Sequence, residues 1–351
     1  MIAYDLTKPL LFRLPAETAH SLGHGLLALA DGTPVTALLA RQYVVDDARL
    51  RVEAFDQTFP NPVGVAAGFD KNAEAPRALA ALGFGHVEVG GVTAEPQGGN
   101  PRPRMFRLVD DEGIINRMGL NNDGAAVIGQ RLAAVDVPVP VGVNIAKTEH
   151  VDSEDAPADY RETYEQVAAG GDFFVVNVSC PNSEGFRELQ NRDSMAAILG
   201  ELIDAGAAPL LVKLSPDLPE PAVADALELV DELGLDGVVA TNTTTDRPAS
   251  LRSPNRAEQG GLSGKPIEHR ATEMVRFVAE RTDVPVVGVG GVSNAESAYR
   301  KIRAGASVVQ LYTGLIYRGP SVARDINRGL LELLDRDGFD SIEEAVGVDL
   351  P

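Results

Sequence analysis

From about residue 60 onward, short apolar runs alternate with segments in which apolar residues recur every three or four positions. The short runs have the length and valine content of buried strands, and the longer segments have the amphipathic pattern of helices. The predicted strands are Val63–Ala67, His86–Val89, Val139–Asn144, Phe173–Val178, Leu210–Leu214, Gly237–Thr241, Val286–Val289 and Ser307–Leu311. The predicted helices between them include Ala73–Leu82, Tyr160–Ala169, Met195–Ala205, Pro221–Leu233, Ile267–Arg281 and Ala295–Ala304. Eight strand–helix alternations predict a (β/α)8 TIM barrel of the α/β class, and a doubly wound parallel sheet is the alternative architecture.

The first 45 residues follow a different pattern. Leucines recur at helical spacing before and after Pro15, and Gly32 is a typical helix stop, so two short amphipathic helices are predicted over residues 5–40. A barrel does not require such a prefix, and we therefore divide the chain into an N-terminal helical extension, residues 1–45, and a barrel domain, residues 46–351. The spacing favours a cap on the barrel, and the alternative is a surface that contacts a membrane or admits an apolar ligand.

The charge balance narrows the choice of partners. The chain has 51 acidic and 31 basic residues, and the net charge of -20 argues against binding to nucleic acid. Only six lysines occur among 351 residues, and an acid-rich, lysine-poor surface suits a protein that works at high salt. We therefore expect a halophilic source, with an acidic protein from an ordinary environment as the alternative. A single cysteine, no apolar run long enough to span a bilayer and no recognisable signal peptide predict a location inside the cell.

The residues that follow the predicted strands carry the candidate chemistry, because the active sites of such barrels lie at the carboxyl ends of the strands. These positions hold neutral amides, two lysines and several glycines, and they offer no cluster suited to a transition metal, so no metal is expected. Amides around a cation suit a planar anionic heterocycle. Gly290 and Gly291, with Thr313 and Gly314 after the last strand, predict a phosphate site. FMN and a heterocyclic acid would fit these two subsites.

The single cysteine, Cys180, lies between Asn177 and Asn182, at the end of the predicted strand Phe173–Val178. A thiol at the end of a strand among side-chain amides is placed like a catalytic base or nucleophile. The alternative is a buried structural cysteine, since free cysteine is among the most buried residue types.

Several motifs give these positions a context: AAGFDKN, NRMGLNN, NVSCPN, TNTTTDR, GGLSGKP, VGVGGVS and LYTG. With them the chain resembles, over roughly residues 5–330, the dihydroorotate dehydrogenases, FMN enzymes that oxidise dihydroorotate to orotate in pyrimidine biosynthesis. The helical prefix, the PRMFRL segment and the GFRELQ run resemble the class 2 branch, which is membrane-associated and reduces quinone. The resemblance implies a quinone as electron acceptor, peripheral attachment to the cytoplasmic side of the cell membrane through the N-terminal helices, and a monomer.

The resemblance also implies a role for each matching position. The substrate would contact Lys71, Asn116, Arg117, Met118, Gly119, Leu120, Asn177, Asn182, Asn242 and Thr243. FMN would be bound by Ala67, Gly68, Phe69, Asp70, Lys71, Gly91, Asn144, Asn177, Lys213, Thr241, Gly264, Gly291, Tyr312 and Thr313. A quinone tunnel would contain His20, Arg107 and Tyr312.

The chain departs from the class 2 pattern at three positions. Cys180 stands where the class 2 branch has serine, and cysteine at this position is typical of the soluble class 1 branch. Gly91 stands where the family commonly has threonine, and Ala146 stands where it usually has glycine. We expect Cys180 to serve as the catalytic base, since a free thiol has a pKa of about 8.5, far closer to neutrality than a hydroxyl. The cysteine also leaves open a class 1-type enzyme that reduces fumarate or another soluble acceptor.

Two further alternatives are opposed by the sequence. An FMN barrel reductase that acts on uracil in nucleic acid would need basic patches, and the surface is acidic. A non-catalytic scaffold would have no use for charged and amide residues at almost every strand end.

Overall fold

A computed structural model describes residues 2–179, 189 and 191–351, so the candidate residues Cys180 and Asn182 lie outside the described part of the chain. The strands are β1 (Val52–Ala54), β2 (Gln57–Phe59), β3 (Val63–Val65), β4 (His86–Val92), β5 (Met105–Leu108), β6 (Gly113–Asn116), β7 (Val141–Ile145), β8 (Phe173–Asn177), β9 (Leu210–Leu214), β10 (Gly237–Ala240), β11 (Gly261–Gly264), β12 (Val286–Val289) and β13 (Ala306–Leu311). The helices are α1 (Ile2–Leu11), α2 (Ala16–Ala30), α3 (Pro34–Tyr43), α4 (Pro76–Ala81), α5 (Ala125–Ala133), α6 (Ala156–Val167), α7 (Arg192–Asp204), α8 (Glu220–Leu233), α9 (Glu268–Ala279), α10 (Ala295–Arg303), α11 (Thr313–Arg318) and α12 (Val322–Asp337).

Eight parallel strands close into a barrel in the order β3, β4, β7, β8, β9, β10, β12 and β13, with β13 paired to β3. All eight are the strands that the apolar runs predict, so the (β/α)8 barrel is confirmed and the doubly wound sheet is excluded. The helix pattern is confirmed too, although α5 and α12 complete the ring without having been predicted. Local signals set the helix ends: Asn294 and Ser297 form a capping box at the start of α10, and α8 ends at Gly234, whose left-handed conformation suits glycine.

An aromatic plug closes the amino end of the barrel, and the sequence pattern did not reveal it. The antiparallel hairpin β1–β2 places Phe55 and Phe59 against Phe173, with ring centroids 6.0 and 6.3 Å apart. Small residues make room for these rings. A Cβ atom at Gly142 would lie 2.4 Å from the ring of Phe173, and one at Gly237 would lie 2.7 Å from the ring of Phe55. The plug leaves only the carboxyl end of the barrel for a site.

A second, antiparallel sheet of β5, β6 and β11 is inserted at that carboxyl end. Strands β5 and β6 follow β4, and β11 follows β10, so two separate connections meet there. The pairing of β6 with β11 puts Asn116 opposite Gly261 and Gly113 opposite Gly264. Residues far apart in sequence are thereby brought to the mouth of the barrel.

The N-terminal extension contains three helices, and the expectation of two was wrong. Gly32 ends α2 only, because a third helix, α3, begins directly after it. The Thr33 hydroxyl caps α3 by accepting a hydrogen bond from the Val35 amide, and Pro34 occupies its first turn. Helix α2 contacts α4 and β5, which fixes the extension on the barrel. Among the described residues, none of the helices combines the length and apolarity needed to cross a membrane.

The plug contains a buried histidine that predicts how stability depends on pH. Neither ring nitrogen of His86 has a hydrogen-bond partner among the described residues, and burial lowers its pKa to about 3. The unfolded chain binds a proton at this residue near pH 6.5 and the folded chain does not, so acid favours unfolding. Between pH 7 and pH 5, protonation of His86 in the unfolded chain lowers the free energy of unfolding by about 2 kcal/mol.

We expect His86→Leu to reduce the acid sensitivity of unfolding by about that amount, measured by denaturant titration at both pH values in molar salt. The exposed residue His269 provides the control, because His269→Leu removes a histidine that the fold does not bury. Equal pH slopes for His86→Leu and the unmodified chain would contradict this account.

Candidate active site

A cavity of about 1140 Å³, counting its open mouth, occupies the carboxyl end of the barrel. It is lined by residues from strand ends β3, β4, β7, β8, β9, β10, β12 and β13 and from the inserted sheet. The predicted site residues that line it are Ala67, Gly68, Lys71, Gly91, Asn116, Met118, Gly119, Leu120, Asn144, Asn177, Lys213, Thr241, Asn242, Thr243, Gly264, Gly291, Tyr312 and Thr313. The fold therefore gathers nearly all the described candidates into one space.

Three of the described residues predicted to bind substrate or FMN do not line this cavity. The Arg117 guanidinium donates to the Glu258 carboxylate at 3.0 Å and lies over the ring of Phe106. The Asp70 carboxylate accepts hydrogen bonds from the amides of Glu74 and Ala75, each at 2.9 Å, and so holds the turn after β3. Phe69 faces a second cavity. In this structure these residues support the walls of the mouth cavity from outside.

Glycines line one side of the mouth cavity closely. Gly264 and Gly291 have φ values of +91° and +80°, a region that other residues rarely adopt. A Cβ atom at Gly291 would also lie 2.4 Å from the Cα atom of Glu268. Nearby, the hydroxyls of Ser263 and Thr313 are 2.9 Å apart. Bare backbone beside two hydroxyls is a surface that can hold a phosphate group.

The floor of the cavity is organised by Glu88, which the sequence analysis missed. This fully buried carboxylate accepts hydrogen bonds from Asn144 Nδ2 at 2.7 Å and from Gln310 Nε2 at 2.7 Å. Lys213 Nζ lies 3.4 Å from the same oxygen that Asn144 contacts. The available signal was a single charged residue within the otherwise apolar strand β4, since a buried carboxylate needs partners.

A chain of side-chain amides continues from this floor toward the end of β8. Asn177 Nδ2 donates to Asn144 Oδ1 at 3.2 Å, and Asn242 Nδ2 donates to Asn177 Oδ1 at 3.3 Å. Asn242 also donates to the hydroxyl of Ser179 at 2.9 Å. The amides at the ends of β7, β8 and β10 thus form one connected network that reaches Ser179.

Lys71 brings a cation to the mouth. Burial lowers its pKa to about 8, with repulsion from Arg104 acting in the same direction and attraction by Glu17 and Asp70 opposing it. The ammonium group is still protonated at neutral pH. A carboxylate ligand would be a suitable partner for this cation.

A second cavity, of about 1270 Å³, lies between the N-terminal helices and the barrel and is almost entirely apolar. His20 and Arg107, two of the predicted tunnel residues, line it. Burial lowers the pKa of His20 to about 3, so its imidazole is neutral, and its ring stacks on Tyr312 with centroids 6.0 Å apart. Arg107 donates to the backbone carbonyls of Phe12 and Leu14. The third predicted tunnel residue, Tyr312, lines the mouth cavity.

The two cavities share a wall. Met105 and Ile114, from the inserted sheet, line both of them. A buried ion pair holds α2 in place beside this wall: the Glu17 carboxylate accepts from Arg104 at 2.8 Å, and Arg104 also donates to the carbonyls of Gly98 and Asn100.

Two departures from the family pattern are neighbours in space. A Cβ atom at Gly91 would lie 3.2 Å from the Ala146 Cβ and 3.1 Å from Leu120 Cδ2. The methyl group of Ala146 thus occupies part of the room that a larger residue at position 91 would need.

A closed barrel with a polar mouth cavity and a glycine-lined edge defines an α/β-barrel enzyme. The model of the dihydroorotate dehydrogenase family matches residues 49–334. A protein named dihydroorotate dehydrogenase (quinone) from Haloarcula marismortui is 76% identical over 350 residues, with 100% of both chains covered. Proteins of the same name from Halobacterium salinarum and an Anaeromyxobacter species are 64% and 48% identical; the matches cover 99% and 97% of this chain and 100% and 95% of those proteins.

Among solved structures, the crystal structure of DHODH in complex with ferulenol from Eimeria tenella is similar to this chain, with a TM-score of 0.86 and 38% identity over 95% of each chain. The chain belongs to the dihydroorotate dehydrogenase family. The haloarchaeal relatives agree with the salt-adapted composition expected from the acidic sequence.

Proposed function

We propose that this protein oxidises (S)-dihydroorotate to orotate with FMN and transfers the electrons to a membrane quinone, as a step of pyrimidine biosynthesis. The observation that carries the proposal is the pair of cavities that meet at Met105 and Ile114. One presents amides and two lysines among apolar residues and suits a charged heterocycle, and the other is almost entirely apolar and suits a quinone.

The residues of the mouth cavity fit FMN. The glycine edge at Gly264 and Gly291, with the Thr313 hydroxyl, would hold the phosphate. Asn144 and Lys213 would face the polar part of the ring system, and a lysine there stabilises negative charge on a reduced flavin. The buried oxygen Oε1 of Gln310 has no partner among the described residues and would accept a hydrogen bond from a ligand.

The remaining polar residues would bind the substrate. Lys71 would pair with its carboxylate, and Asn116, Asn177 and Asn242 would hydrogen-bond the ring. We assign the proton transfer at C5 to Cys180, which lies outside the described residues, because it stands at the base position of the family motif and a thiol is deprotonated far more easily than a hydroxyl. Bound FMN would supply the redox chemistry, which is acceptance of the hydride from C6 and transfer of the electrons to the quinone. The amides and Lys71 stabilise the charge that builds on the substrate.

The N-terminal helices fit a membrane surface. Seven large apolar side chains of α1–α3 are between 49% and 78% exposed: Leu6, Leu10, Leu22, Leu26, Leu29, Val35 and Leu38. Residues 1–43 contain three acidic and three basic residues, so the net charge of -20 resides in the rest of the chain. A neutral apolar face on an otherwise acidic protein would attach peripherally to the cytoplasmic side of the cell membrane and open the apolar cavity toward it.

The assignment of Cys180 predicts the behaviour of two variants. Cys180→Ala is expected to lower turnover at neutral pH by roughly 10²–10⁴-fold while flavin stays bound, because only the base is removed. Cys180→Ser is expected to work mainly at higher pH, because a hydroxyl is much harder to deprotonate than a thiol. The measurements are pH–rate profiles and flavin content. Near-normal activity of Cys180→Ala would refute the assignment.

The apolar cavity predicts that the two half-reactions can be separated. Gly23 lines this cavity with open space around it, whereas Gly25, on the same helix and equally open, does not line it. Gly23→Phe is expected to slow the reoxidation of reduced enzyme by a short-chain quinone at least tenfold and to leave reduction by dihydroorotate unchanged. The matched control Gly25→Phe should leave both steps unchanged. Stopped-flow absorbance measures each step, and equal reoxidation rates in the two variants would contradict the proposed quinone route.

A further inference from the structure

We propose that Glu88 is a positioning residue that fixes the hydrogen-bonding direction of Asn144 and Gln310 at the cavity floor and balances the charge of Lys213. This inference rests on the proposed function, since it concerns how FMN and substrate are held. Glu88 itself would touch neither of them and would act through its neighbours.

The placement of Glu88 follows from barrel closure. Strand β4 pairs with β3 and β7, yet Glu88 contacts Lys213 on β9 and Gln310 on β13. Neither β9 nor β13 is adjacent to β4 in the barrel. The contacts therefore cross the interior, and the carboxylate lies inside the barrel beneath the mouth cavity.

A carboxylate accepts hydrogen bonds and does not donate, and this sets the direction of every amide linked to it. Asn144 must turn its Nδ2 toward Glu88, which leaves its Oδ1 to accept from Asn177. Asn177 then offers its own Oδ1 to Asn242. Glu88 thus sets the direction of Asn144 and, through Asn144, supports that of Asn177. Backbone groups of Ser179 and Thr243 hold Asn177 and Asn242 in the same direction.

The same carboxylate fixes the acceptor of Gln310. Its Nε2 donates to Glu88, so its Oε1, which has no partner in the part of the chain that the structure describes, is left for a group in the cavity that Gln310 lines. Without Glu88 the Gln310 amide could turn over and present a donor instead.

Glu88 also provides the counter-charge of Lys213. Both groups are buried, at 0% and 5% exposure, and Glu88 is the carboxylate that Lys213 pairs with in the described chain. A buried ammonium group that loses its partner carries an unopposed positive charge. Such a charge beside FMN would make the cofactor easier to reduce, because reduction adds negative charge.

Glu88→Gln, a substitution of equal size, tests both parts. We expect about tenfold weaker binding of orotate, measured by flavin absorbance titration. We also expect the midpoint potential of bound FMN to rise by a tenfold change in the reduction equilibrium, about 30 mV for two electrons. Asp159→Asn is the matched control, because Asp159 is a buried carboxylate outside the cavity, and it should change neither quantity.

The double variant Lys213→Met with Glu88→Gln removes both charges together, so it leaves no unopposed buried charge even if Glu88→Gln alone folds poorly. Its FMN potential is expected to lie well below that of Glu88→Gln, because the ammonium group that favours the reduced flavin is removed together with its counter-charge. The inference is overturned if Glu88→Gln lowers the melting temperature but leaves the FMN potential and the orotate affinity unchanged. It is also overturned if the double variant raises the FMN potential as far as Glu88→Gln does. Failure of the unmodified chain to bind FMN would instead overturn the proposed function.

Discussion

Closure of the eight-stranded barrel is the constraint on which the rest of the site depends. Because β13 pairs back to β3, the inward-facing side chains of non-adjacent strands meet across one small interior. Glu88 reaches Lys213 and Gln310 only for this reason. Burying the Glu88 carboxylate without partners would be unfavourable, and its three donors, Asn144, Lys213 and Gln310, offset that cost. In return, the carboxylate fixes the orientation of the two amide donors. The chemistry of the mouth is therefore supported from beneath, by a group that no motif marks.

The N-terminal helices give the barrel a second compartment. They form an apolar cavity against the inserted sheet, and the Glu17–Arg104 ion pair ties them to the loops that carry the substrate candidates. Met105 and Ile114 form the wall between the two cavities. Electrons would therefore pass between two ligands that occupy separate cavities. Under the proposed function, a quinone dissolved in a membrane would enter at the neutral, leucine-rich outer face of the same helices. The extension would then provide both the quinone site and its access to the membrane.

The sequence predicted the barrel well because each strand is a short, mainly apolar run, and strands β9 and β12 have the predicted bounds. It placed most cavity residues because strand ends converge in this fold. The sequence analysis missed Glu88, because its contact with Lys213 joins β4 to β9 and depends on closure of the barrel, which no local sequence pattern reveals. Arg117 and Asp70 were also predicted to lie in the site because they belong to family motifs. In the structure Arg117 pairs with Glu258, and Asp70 accepts hydrogen bonds within the turn after β3. Helix α3 was missed because Gly32 stops one helix while Thr33 starts another.

The identity of the electron acceptor tests the account most directly, because Cys180 resembles the soluble branch and the helical extension resembles the quinone branch. Enzyme reduced with dihydroorotate in the absence of oxygen is mixed with either a short-chain quinone or fumarate, and the return of flavin absorbance is followed. The account predicts rapid reoxidation by the quinone and none by fumarate. Rapid reoxidation by fumarate alone would contradict it and would reduce the N-terminal helices to a structural cap.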